Sequence, residues 1–117
     1  MHTGEAVPLK PLGTSMSEAL VEMTSKGFGC VGIVDARETI VGIVTDGDLR
    51  RHMRPDLMTA LVDDVMTKNP KTIRSSLLAS EALEILNASK ITALIVTEAG
   101  KPVGIVHLHD LLRAGVV

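Results

Sequence analysis

With 117 residues the chain is one compact body or a pair of very small domains, long enough to bury about two-thirds of its unfolded surface if its parts share a core. A formal charge of −2 with scattered Lys and Arg, and Phe28 as the single aromatic, leave no basic footprint and no stacking platform, which argues against nucleic acid as a partner. Every apolar run is far shorter than the ~20 residues of a spanning helix and no signal peptide is visible, so no membrane partner is expected, and a lone cysteine, Cys30, fits a reducing cytoplasm.

In chain order, a lead-in from Met1 through Val7-Pro8-Leu9 comes first. The pattern S-x-x-E at Ser15 to Glu18 then predicts a capped helix, with Ala19, Leu20 and Met23 at helical spacing and Gly27 as its left-handed stop. Cys30 to Val34 and Ile40 to Val44, joined by the polar turn Asp35 to Thr39, read as a hairpin in which Cys30 is a small buried hydrophobe. Thr45-Asp46-Gly47-Asp48 opens a short helix through Met53, and Arg54 to Asp63 is a connector with a short helical turn. The order then recurs. A lead-in at Met66 to Ile73 precedes a helix marked by Ala82, Leu83, Ile85 and Leu86, a hairpin of Ala93 to Val96 and Val103 to Val106 turning at Glu98 to Lys101, and a closing helix from Asp110.

The chain is therefore an internal duplication. Ser17-Glu18-Ala19-Leu20 through Val41-Gly42-Ile43-Val44-Thr45-Asp46-Gly47-Asp48-Leu49-Arg50-Arg51 is echoed by Ser80-Glu81-Ala82-Leu83 through Val103-Gly104-Ile105-Val106-His107-Leu108-His109-Asp110-Leu111-Leu112-Arg113. A unit of roughly 60 residues buries too little surface alone. The expected fold is α/β of the α+β kind, with units 1–60 and 61–117, each β-α-β-β-α, packed with pseudo-two-fold symmetry around a shared cleft and burying Ile33, Ile43, Val44, Leu83, Ile95 and Val106. Exposed helical faces on such a pair predict a homodimer of modules. Because Met66 is preceded by Asp63-Asp64-Val65 whereas Met1 is preceded by nothing, the chain reads as a piece of a larger protein.

This order, the lead-in Val65-Met66-Thr67 with Asn69-Pro70 and Thr72-Ile73, and Gly42 to Leu49 together resemble a tandem of cystathionine-β-synthase (CBS) domains, over nearly the whole chain. The resemblance implies adenosyl-type ligands in clefts between the halves, and a motif of glycine, two apolar residues, Thr or Ser, two variable residues and Asp. Gly42, Ile43, Val44, Thr45 and Asp48 match it; Gly104, Ile105, Val106 and Asp110 match in the second copy, with His107 in place of Thr or Ser. Thr45 to Arg51, the opening Met1 to Glu5 and the ending His109 to Val117 resemble more narrowly the C-terminal CBS pair of bacterial D-arabinose 5-phosphate isomerases of the Kdo pathway. That implies a covalently attached sugar-isomerase domain in the parent. Similar Asp-Gly-Asp-Leu-Arg-Arg runs accompany sugar nucleotidyltransferases, which keeps an adenine-nucleotide-sensing pair of such an enzyme as an alternative.

The candidate ligand-binding residues are Thr45, Asp48, His107, His109 and Asp110. T-x-x-D at a strand-to-helix junction is itself a capping box, so Thr45 and Asp48 have a structural role alongside any contact to ribose hydroxyls. His107, His109 and Asp110 lie too close in sequence for a closed tetrahedral metal site, and no nucleophile setting or phosphate loop is present. No catalytic residue, metal or cofactor is expected. The His107 and His109 pair makes one copy more basic, which suits a ligand with a second anionic group, and the resemblance makes CMP-Kdo the candidate nucleotide sugar. A ligand-free assembly module is the rival reading.

Overall fold

The computed structural model describes residues 2–76, 79–89 and 93–108. His2–Thr3 form β1, followed by a 3₁₀ turn at Gly4–Ala6; Leu9–Pro11 form β2. Helix α1 spans Met16–Lys26, where Ser15 at the N-cap accepts from the Glu18 amide at 3.4 Å and Gly27 closes the helix at φ 77°. A left-handed φ is the conformation that glycine adopts without a Cβ clash. Strands β3 (Cys30–Val34) and β4 (Ile40–Thr45) form the expected hairpin, and Asp35 Oδ1 ties its turn through the amides of Arg37 and Thr39. Helix α2 is Asp46–Arg51, ending two residues before Met53 with His52 as its C-cap.

The connector is more structured than one turn. Leu57–Thr59 form a 3₁₀ turn and Val62–Val65 a short helix, α3, and Leu57, Val62 and Val65 are all buried. The amide of Met16 donates to Ala60 and that of Val62 to Thr14, at 2.8 and 2.9 Å, so the segment is sewn onto the start of α1. Then come β5 (Thr67–Lys68), β6 (Thr72–Arg74), α4 (Ala79–Ser89), β7 (Ala93–Glu98) and β8 (Lys101–His107). The closing helix expected from Asp110 lies outside the described residues.

Among the described residues two four-stranded sheets result, in the orders β2-β3-β4-β5 and β1-β8-β7-β6. In each, the first strand of a repeat lies parallel to the second and the hairpin is antiparallel, with a bulge at the matching place, after Ile33 and after Val96. The edge strands are exchanged relative to the sequence. β5, from the lead-in to the second repeat, adds antiparallel to β4, while β1, from the lead-in to the first repeat, adds antiparallel to β8. The compact units are accordingly Pro8–Pro70 and, together, the described parts of Met1–Val7 and Lys71–Val117.

In Pro8–Pro70, Met16, Ala19 and Met23 of α1 pack on Val31, Ile33 and Val44, closed by Leu57, Val62 and Val65. Val31 faces Val44 and Ile33 faces Gly42 across the ladder, so these positions share the helix-covered face. Ile43 points to the other face and is half-buried. Gly42 leaves the room that Met66 fills, since a Cβ there would collide with the Met66 thioether. In the other unit Ile73, Ala82, Leu86, Leu94, Val96 and Val106 form the core, with half-buried Leu83 and Ile85 at its margin. Ile95 is fully buried.

Candidate ligand site at the end of β4

Strand β4 ends where α2 begins, and the chemistry of that junction rests on Asp48. Thr45 is the N-cap: its Oγ1 accepts from the Asp48 amide at 3.3 Å, and the Thr45 amide donates to Asp48 Oδ2 at 2.9 Å, completing a capping box. The Thr45 hydroxyl also lies 3.1 Å from Oδ2, toward which it donates. Oδ1 is taken by donors from two other places, the guanidinium of Arg51, one turn along α2, and the hydroxyl of Thr67 on β5, at 2.7 Å.

The Asp48 residue is only 2% exposed. Burial by itself pushes its carboxyl up, but the hydrogen bonds from Thr67, the Thr45 backbone, Arg51 and the Thr45 hydroxyl outweigh burial and hold it below the ordinary value of 3.8. The group is an anion with roughly four acceptor positions, and four donors already address them. Nearby, Gly29 at φ 73° brings the backbone close to Asp46, whose Oδ2 would lie 3.1 Å from any Cβ placed there. Burial, with Asp46 adding to it, pushes the Cys30 thiol up to about 12, so this cysteine packs as an inert group.

Thr45 and Asp48 are thus brought together as the sequence expects. His107 ends β8, half-buried and opposite Ala93, just as Thr45 ends β4 opposite Cys30, so it occupies the position of Thr45 in the second sheet's register. His109 and Asp110 lie outside the described residues. Sequence reasoning missed Arg51 and Thr67. The first had a signal, an acid and a base three apart on a helix. The second had none, because its contact is made 19 residues away through a strand exchange. Among the described residues no group of three or more His, Cys, Asp or Glu is placed to hold a metal, and no helix is long and apolar enough to cross a membrane.

Over its whole length the chain is 48% identical to the arabinose 5-phosphate isomerase KdsD of Pseudomonas aeruginosa and 42% identical to that of Escherichia coli (strain K12). It spans 37% and 36% of those proteins. Its fold is similar to that of CBSX2, a CBS-pair protein of Arabidopsis thaliana. Against CBSX2 in complex with AMP the TM-score is 0.83 at 27% identity, covering 99% of this chain and 92% of that one. The CBS domain model matches residues 8–55 and again 62–117. The chain belongs to the CBS domain family, as two CBS domains in tandem, a module of the regulatory rather than the catalytic kind.

Proposed function

We propose that this chain is the ligand-sensing CBS pair of a cytoplasmic arabinose 5-phosphate isomerase, with the sugar-isomerase domain attached in the parent protein. The observation that carries this reading is the 48% identity to KdsD along the entire chain. A sensor regulates only through unequal affinity for two states of the module. The ligand class is a nucleotide or nucleotide sugar, supported by the AMP complex of CBSX2.

CMP-Kdo is our candidate within that class. Thr45 with Asp48 in one copy and His107, with His109 and Asp110 following it in sequence, in the other make the two copies chemically unequal. Imidazoles suit a ligand whose sugar carboxylate adds an anionic group beyond the phosphate. An activated end product also gives an early pathway enzyme a reason to carry a sensor. Calorimetry of the chain against AMP and CMP-Kdo tests this: CMP-Kdo is expected to bind more tightly, and His107→Ala to weaken it about ten- to a hundredfold, the worth of one charge-assisted contact. Tighter binding of AMP, or no effect of His107→Ala, would overturn CMP-Kdo as the ligand.

One observation favours a second reading, a ligand-free assembly module that holds the parent as a homodimer of CBS pairs. Asp48 is fully engaged by the protein's own donors, as a purely structural carboxylate is. A thermal-shift series at saturating AMP, ATP and CMP-Kdo that gives no stabilisation would decide for assembly.

A further inference from the structure

We propose that Thr67 is a positioning residue that latches strand β5 to the Asp48 carboxylate, and that ribose binding and this latch exclude one another. The competition deepens the nucleotide reading above and rests on it; the anchoring of β5 does not.

The strand itself has little to hold it. β5 is two exposed residues long, at the edge of its sheet, with two register pairs, Gly42 to Lys68 and Ile43 to Thr67. Beyond the ladder, it is tied by the packing of the adjoining Met66 over Gly42 and by the 2.7 Å hydrogen bond from the Thr67 hydroxyl to Asp48 Oδ1. That bond ends on a buried anion, where a hydrogen bond is worth more than at the surface.

A ribose diol needs two acceptor positions on a carboxylate, and none of the four on Asp48 is vacant. The two on Oδ2 serve Thr45, whose donors belong to the start of α2, so releasing them undoes the helix cap. The two on Oδ1 serve Arg51 and Thr67. The Arg51 side chain is 63% exposed and can turn to water at small cost. Thr67 is then the donor whose departure reaches another element, since β5 ends two residues before Pro70, the last residue of its unit. Ligand at Asp48 thereby loosens the segment that leads into the second repeat.

Hydrogen exchange and calorimetry on Thr67→Val and Thr67→Ser test both halves. Valine keeps the shape and strand preference of threonine without its hydroxyl; serine keeps the hydroxyl. Without nucleotide, Thr67→Val is expected to speed exchange across residues 66–69 while leaving β7 and β8 unchanged, and Thr67→Ser to restore protection. Unchanged protection in Thr67→Val overturns the latch whatever binds. With AMP and CMP-Kdo as probes, Thr67→Val is expected to bind about five- to tenfold more tightly than the unsubstituted chain. Saturation of the unsubstituted chain should then deprotect residues 66–69. Weaker binding by Thr67→Val, or protection of 66–69 by nucleotide, overturns the competition. If neither probe binds the unsubstituted chain, the nucleotide reading fails and the competition with it, while the anchoring of β5 stands or falls on the nucleotide-free exchange.

Discussion

Asp48 shows how one carboxylate serves a local and a distant purpose. Its folded value lies below 3.8, so the folded chain holds the ionised form more firmly than the unfolded chain does. The stability this supplies is complete above the ordinary carboxylate range and is lost as pH falls below 3.8 through the folded value. Asp48→Asn is therefore expected to cost about 1.5–3 kcal/mol at pH 7, the range for hydrogen bonds to a charged group, and progressively less in acid. Urea denaturation at pH 7 and pH 3 checks it; an equal cost at both pH values would show that the charge contributes nothing. The capping half of this arrangement was legible in T-x-x-D, and Cys30 as a buried strand residue was legible in its apolar neighbours. The other half was not, because Thr67 is bound to Asp48 through folding and not through spacing.

At the scale of elements, the sequence was clearest where a local rule dominates. Ser15, Gly27 and the β3–β4 hairpin all sit where capping and turn chemistry put them. The second hairpin runs further than the apolar pattern, because Thr97 and Glu98 pair with Pro102 and Lys101 although neither looks like core. Its two-residue turn places Ala99 at φ 53° before Gly100 at φ 80°. A turn with both central residues left-handed favours Asn-Gly, and alanine there carries a Cβ penalty of roughly 1 kcal/mol. Ala99→Asn should thus stabilise the protein by about 0.5–1 kcal/mol, read as a raised urea midpoint with the slope unchanged. A lowered midpoint would mean that the turn is not under strain. The connector from 54 to 63 is less legible for the opposite reason: its apolar residues, Leu57, Met58, Ala60, Leu61 and Val62, crowd together without marking one face, yet Leu57 and Val62 are buried and Ala60 packs against the same core while Met58 and Leu61 are exposed.

For the molecule as a whole, the duplication revealed the two sheets but concealed which residues complete them. A repeat in sequence predicts that each copy builds its own unit, whereas each copy here takes its edge strand from the lead-in of the other. Two-residue strands carry no detectable alternation, so nothing in the residues announces this. Deleting residues 2–7 is expected to leave Pro8–Pro70 folded and to weaken the other unit by about 1–2 kcal/mol, since it removes β1 and the buried Val7. Hydrogen exchange should rise in β8 and not in β3 or β4; equal loss in both sheets would contradict the exchange of edges.

That pairing of His2 with Ile105 has a further consequence during synthesis. Pro8–Pro70 contains all its own strands and can complete its sheet as soon as its last residue clears the ribosome. Strand β1, made before that unit, must instead wait for roughly a hundred more residues before its partner exists, and its closure spans a far longer stretch of chain than any strand pairing within Pro8–Pro70. The two halves of the duplication are thus made on unequal terms, one able to close its sheet as it is translated and the other only after β8 has followed.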